Sequence, residues 1–285
     1  MRSVRILFFV VATLLSTYLF KKEFKVPPIH EDIPFNPLWE SKKPSDEIQE
    51  ILSHPFTYLT HGNQCSVFQS ENGEYILKLF RYKRSPFPII QNIKSLFAKS
   101  AGKNPKCDLF TKLNKTFFAA RIAATDASDY TGVIFSHLNL SQNTLPITEI
   151  RGDKTYYLPM DSYRFCLQKK ATPFKKALLE AKDNPDEMHQ LIDSLVHLLT
   201  QRLAKGISNS DPNLAPNFGF INRQAIEIDF GNYLLVDYSP EEEQKEITIF
   251  LSRFEDWLNK YAPEHVKYLL EIQNKYTQRG SKIEF

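Results

Sequence analysis

The 285 residues, 42% apolar and 13% aromatic, suffice for one domain of ordinary size with a real core and a terminal extension, and they exclude wholesale disorder. A formal net charge of +3, with no zinc-knuckle spacing and no aromatic-basic RNA motif, sets nucleic-acid binding aside. The three cysteines, Cys65, Cys107 and Cys166, are too scattered for a disulfide framework or a metal site and read as buried thiols of a reducing compartment.

Residues 1–25 carry an uncharged apolar run, Ile6 to Phe20, between Arg2 and Arg5 on one side and Lys21, Lys22 and Lys25 on the other. As a helix this run reaches about 22 Å, against a hydrocarbon core of roughly 30 Å, a gap closed by snorkelling of Arg5 and Lys21 or by local thinning. With no small-x-small cleavage site behind it, an uncleaved signal anchor is favoured over a cleaved signal peptide or a core helix. The flanking charges nearly tie, so they leave the orientation open. Residues 26–50 read as an extended tether, with five prolines between Val26 and Ser45, and the packed domain is expected over 51–285.

Residues 58–80 read as two strands joined by the turn Glu71-Asn72-Gly73-Glu74. Side chains alternate along a strand, so Ile76, Lys78 and Phe80 share a face. Lys78 is then either an edge residue snorkelling to water or a cation aimed into a cleft. Residues 81–106 hold seven basic residues and no acid. Such a run is a solvated surface or, close to a membrane anchor, a face for anionic headgroups. A helix is expected over 107–127, then strands within 131–140, 147–160 and 163–170, with Arg151-Gly152-Asp153-Lys154 as a hairpin turn rather than an adhesion motif.

The best helix lies within 183–206. Pro185, Asp186 and Glu187 open it, Leu191, Leu195, Leu198, Leu199 and Leu203 form its stripe, and Gly206 follows its end. Two amphipathic helices divided near Pro263 close the chain. Strands in the first half and helices in the second make an α+β layout with segregated halves.

The stretch SNSDPNLAPNFGFINRQAIEIDFGNY, residues 208–233, comes straight after that helix. Ile226 and Ile228 alternate in it before Asp229-Phe230-Gly231. A lysine-bearing hairpin, a long helix running into Asp211, and a strand ending in Asp-Phe-Gly follow one another in the order that resembles the protein-kinase-like superfamily, over roughly residues 55–235. NSDPNLAPNFGF is similar to the catalytic loops of HipA-type and other atypical kinases. The resemblance implies a two-lobed fold, with a β-rich lobe over about 51–168 and a helical lobe over about 169–285.

It also implies roles for particular residues. Gly62 and Lys78 would contact the phosphates of ATP, Asp211 would act as the catalytic base, and Asn217 and Asp229 would hold Mg2+. The residue types suit that chemistry, since magnesium takes hard oxygen ligands and a hydroxyl acceptor needs a nearby carboxylate for its proton. Several features depart from the pattern. Cys65 stands where a later loop glycine is expected, and Asn209 lies near the place of the loop histidine. Asn217 is six residues beyond Asp211, where the motif has five, so Asn213 is a candidate to share its part. No glutamate occurs between Lys78 and Glu149, so the helix that should supply the lysine's partner offers only Asp108 near its start, and no Ala-Pro-Glu follows Asp229.

Two functional readings stay open. One is a membrane-anchored phosphotransferase facing the cytoplasm, with a small, lipid-linked or protein hydroxyl acceptor. The other is a pseudokinase or tethered scaffold without catalysis. Against both stands an unrelated α+β protein in which Asp211-Pro212 and Gly231-Asn232 only form turns.

Overall fold

The computed structural model describes Val26 and residues 33–81, 105–211 and 213–278. The apolar run 6–20 and all of the basic stretch from 82 to 104 lie outside the described residues. Among the described residues no helix is long and apolar enough to cross a membrane.

The first half is built on one seven-stranded sheet. Its strands are β1 (Phe56–His61), β2 (Cys65–Ser70), β3 (Tyr75–Phe80), β4 (Val133–His137), β5 (Ile147–Arg151), β6 (Thr155–Pro159) and β7 (Phe165–Lys169), in the spatial order β4-β7-β3-β2-β1-β5-β6. The stretch 58–80 thus holds parts of three strands instead of two. The β2–β3 turn is where Asn72-Gly73 places it, with Gly73 at φ +77° and the Asn72 side chain accepting from Glu74 N at 3.1 Å. The β1–β2 connection has no such signal. A register shift between Tyr58 and Thr60 also breaks the alternation by which β1 would be recognised.

The β5–β6 hairpin falls between β4 and β7 in sequence but sits at the far edge, with β5 parallel to β1. Its turn is closed by Gly152 N donating to Lys154 O at 2.9 Å, so Arg-Gly-Asp serves as turn chemistry. The helix α1 (Asp46–Ser53), capped by the Ser45 hydroxyl on Ile48 N, buries Ile48, Ile51 and Leu52 against one face of this sheet. Phe56, Phe68, Leu77, Leu79, Phe165 and Leu167 fill that face.

The opposite face is covered by α2 (Pro105–Ala124), followed by the single turn α3 (Ser128–Thr131). Phe117 and Ile122 of α2 pack there with Cys166, Phe230 and Tyr233. Trp39 joins this cluster at 2% exposure, its ring edge-on to Phe117 at 5.0 Å. Part of the stretch expected as a tether is therefore docked. Asn36 and Asn139 exchange hydrogen bonds of 3.1 and 2.8 Å, and Arg164 donates to Ile33 O at 3.1 Å. Proline content predicts extension, but burying an indole outweighs the cost of fixing a few already stiff residues.

The second half holds β8 (Thr172–Pro173), α4 (Phe174–Ala181), α5 (Pro185–Ala204), β9 (Ile207–Asn209), α6 (Leu214–Asn217), β10 (Phe218–Ile221), β11 (Gln224–Glu227), β12 (Tyr233–Leu235), α7 (Pro240–Tyr261) and α8 (Val266–Gln278). α5 starts as expected, with Asn184 accepting from Glu187 N and Pro185 in the first turn, and it buries the predicted leucine stripe. Phe254, Trp257 and Leu258 of α7 pack into the same core. α7 and α8 are divided by a short 3-10 turn at Pro263–His265. The α+β layout with segregated halves is thus the observed one.

Candidate functional site

Lys78 stands in the middle of β3, between Val67 on β2 and Cys166 on β7. Leu77 and Leu79 occupy the core face, so period-two alternation sends Lys78 to the other. Its ammonium donates to the carbonyl of Ile228, 150 residues away, and lies 4.6 Å from the centroid of the Phe230 ring. Of the two possibilities the sequence left, Lys78 is the one that points inward, half-buried against the other half of the molecule. Among the described residues it makes no ion pair with a carboxylate. α2 offers it no glutamate, and the side chain of Asp108 lies outside the described ones.

Asp211 and Asn217 reach this region through a chain of backbone contacts. After α5 the chain turns at Gly206, with φ +67°, where a Cβ would lie 2.5 Å from Val236 O. Glycine is required here because the chain must turn left-handed against another backbone. β9 then pairs antiparallel with β12, with Asn209 opposite Tyr233. The Asp211 carboxylate accepts from Asn213 N at 3.2 Å and from Asn213 Nδ2 at 2.7 Å, both on Oδ1, which leaves Oδ2 outside these bonds. Asn213 therefore orients Asp211.

The single turn α6 brings Asn217 back, and its carbonyl accepts from Ile228 N at 2.6 Å and Asp229 N at 3.2 Å. Asp229 is exposed, with Oδ1 accepting from Gly231 N at 3.1 Å, while Phe230 is buried. Lys78, Asn217 and Asp229 are thus assembled around one dipeptide, Ile228-Asp229.

Whether these residues suit a divalent cation can be tested on Asn217. Its side chain is 1% exposed, yet its amide nitrogen is buried without a partner. A buried polar atom without a partner calls for an explanation, of which a water or an ion is one. A half-turn of the amide exchanges nitrogen for oxygen and presents a hard ligand at the same point. With the exposed carboxylate of Asp229, whose N–H bonds the Asn217 carbonyl, the two residues would supply hard oxygen ligands of the kind magnesium takes. Among the described residues no group of three or more His, Cys, Asp or Glu could hold a metal by itself.

Gly62 lies in the β1–β2 loop with its N–H on Cys65 O at 2.9 Å, and a Cβ there would meet nothing. The loop reaches the Asp-Phe-Gly segment instead through Gln64, whose Nε2 donates to Gly231 O at 3.3 Å. Burial pushes the Cys65 thiol up, Lys78 and Arg81 pull it down, and Asp229 pushes it up again, so these groups share one electrostatic neighbourhood. The Cys166 thiol, fully buried beside Lys78, is pushed up to about 12. Neither thiol is ionised near neutral pH.

Sequence reasoning missed a buried cluster behind the loop. Arg202 of α5 donates from Nη1 to both Glu227 oxygens, at 3.1 and 3.2 Å, and Tyr233 donates to Glu227 Oε2 at 2.6 Å. Glu227 is 1% exposed and Arg202 5%. Burial works against the arginine's charge, but Glu227 together with Tyr233, Tyr238 and Glu246 holds its pKa above the ordinary value. Burial and the adjacent carboxylate hold the Tyr233 phenol well above its ordinary range. Glu227, between Ile226 and Ile228, has no role in the reading of the sequence alone. The visible signal was an Arg inside the leucine-rich helix, which needs a counter-charge once buried.

No family model matches the chain, and no curated protein matches it. Among solved structures it is similar to the bifunctional kinase-methyltransferase WbdD, at 13% identity over 76% of this chain and 45% of that one, with a TM-score of 0.36. A co-crystal of WbdD with the kinase inhibitor LY294002 is similar at 15% identity, over 77% and 46% of the two chains, with a TM-score of 0.35. The Rv3197–erythromycin complex from Mycobacterium tuberculosis is similar at 14% identity, over 82% and 58%, with a TM-score of 0.34. The chain spans about half the length of these proteins. At this distance the likenesses assign no chemistry to any residue of this chain.

Proposed function

We propose that the protein is a kinase-like phosphotransferase that uses ATP and Mg2+ to phosphorylate a hydroxyl acceptor. The observation that carries this reading is the seating of the Lys78 ammonium on the carbonyl directly before Asp229, whose own N–H is bonded to Asn217. A strand lysine from the first half of the chain meets the β10–β11 hairpin, whose two ends carry the loop asparagine and the aspartate of Asp-Phe-Gly, and the sequence resemblance implies a role for each of the three.

Lys78 supplies a positive charge to the phosphates, and Gly62 of the β1–β2 loop would contact them through its backbone. Asn217 and Asp229 would hold the magnesium, which when bound neutralises charge developing on the phosphate oxygens. Asp211, oriented by Asn213, takes the acceptor's proton as the acceptor oxygen bonds to the γ-phosphorus and ADP departs. Most of the barrier is removed by positioning and charge, which the rigid contacts around Ile228-Asp229 suit.

The test is Asp211→Ala. Magnesium-dependent ADP release should fall at least about a hundredfold while ATP still raises the unfolding temperature. Release at the wild-type rate would contradict a catalytic Asp211. A second reading, a pseudokinase or membrane-tethered scaffold, is favoured by one observation: the ammonium of Lys78 faces a carbonyl and a ring where a carboxylate partner is expected.

The apolar run 6–20 motivates the rest of the proposal, in which residues 1–25 anchor the protein in a membrane. The folded part then lies on the cytoplasmic side, where ATP is, and the basic stretch 81–106 lies against anionic headgroups. A carboxyl terminus cleaved only by protease added outside the cell would contradict that placement. The acceptor would be a small molecule, a lipid-linked group or a protein.

A further inference from the structure

We propose that Asn209, backed by Glu227, is a positioning residue that sets Asp211 and Asp229 relative to one another. This rests on the phosphotransferase reading of the same site.

One side-chain amide spans both aspartates. Asn209 Oδ1 accepts from Asp211 N at 3.0 Å, and Nδ2 donates to Asp229 O at 3.2 Å and to Glu227 Oε1 at 2.6 Å. The orientation of this amide is dictated by its partners. A carboxylate and a carbonyl both accept on the Nδ2 side, so a flipped amide would set oxygen against two acceptors and nitrogen against the Asp211 N–H. Glu227 is itself held on two sides, by Arg202 from α5 and by Tyr233 from β12, the residue opposite Asn209 in the β9–β12 register. The rigidity of a buried ion pair is thereby passed through one amide to the backbone of the two residues that must be spaced correctly.

An ion pair serving only stability would need Arg202, Glu227 and Tyr233, and it would not need Asn209. Asn209 is only partly buried, and beyond its bond to Glu227 its other two bonds run to the backbone of Asp211 and Asp229. Groups that orient a ligand from behind alter its affinity for metal without touching the metal.

The experiment uses the full-length chain in detergent, with unfolding followed at saturating ATP across a magnesium titration. In Asn209→Ala the magnesium concentration giving half-maximal stabilisation should rise about tenfold, and a similar rise should follow Glu227→Gln. The double variant should rise no further than the larger single, because both act through one chain of contacts. A purely structural Asn209 would lower the ligand-free unfolding temperature and leave the magnesium midpoint within twofold of wild type. That result, or single effects that multiply in the double variant, overturns the proposal. Should Glu227→Gln fail to fold, Tyr233→Phe removes only the phenol's bond to Glu227, and it should raise the midpoint by a smaller factor. An unmoved midpoint there would also count against the proposal. A wild-type protein with no response to magnesium and ATP removes the phosphotransferase reading and this inference together. It is distinguishable because in every other outcome the wild type responds.

Discussion

His137 shows how one buried side chain couples stability to pH. It is 6% exposed, its Nδ1 bonds Tyr163 O at 2.7 Å, and its Nε2 lies 2.9 Å from Ser141 Oγ, which also bonds Asp161. Burial holds the imidazole below its ordinary range, with Arg164 adding to that and the Tyr163 carbonyl and Asp161 opposing it. The unfolded chain takes up this proton near pH 6.5 and the folded one resists it. The contribution to stability is therefore present above about pH 6.5 and lost as pH falls from there through the depressed folded value. Unfolding temperatures at pH 7.5 and 5.0 should drop further for wild type than for His137→Asn, and equal drops would contradict this. At the same scale the site residues divide by how they were found. Lys78, Asn217 and Asp229 are candidates because the resemblance assigns a role to each, and the structure brings their backbone and side chains together around Ile228-Asp229. Asn209 was visible only as a departure from the expected histidine, since its role depends on a carboxylate eighteen positions away.

At the scale of elements, local signals were read well and non-local ones poorly. α5 carries its own start, stripe and stop, and the β2–β3 hairpin its own Asn-Gly turn, so both stand where their residues place them. The parallel pairing of β5 with β1 has no local signature, because strand neighbours distant in sequence are chosen by the packing of the whole sheet. The burial of Glu227 is of the same kind. β11 is covered on both faces, so alternation says nothing about which side is wet. Residues 33–45 illustrate a composition that misleads, as one tryptophan docks a proline-rich stretch onto α2. Trp39→Ala should lower unfolding free energy by about 3–5 kcal/mol in a denaturant titration. A loss under about 1 kcal/mol would mean that this segment is held by its polar contacts, Asn36 with Asn139 and Ile33 with Arg164.

At the scale of the molecule, the sheet half and the helical half are joined where the chemistry is proposed to occur. Lys78 crosses from the sheet to Ile228, Gln64 crosses from the β1–β2 loop to Gly231, and Phe230 enters the cluster beneath α2. A ligand bound between the two halves would therefore bridge both cores and stabilise the whole fold by mass action. The most direct measurement is thermal unfolding of the full-length protein with and without ATP and magnesium, for wild type and Asp229→Asn. At a ligand concentration about a hundredfold above the dissociation constant the wild type should gain about 2.7 kcal/mol. That gain should require magnesium and vanish in Asp229→Asn. No gain in the wild type, or a gain of the same size in the variant, would contradict a magnesium–nucleotide site at Asp229.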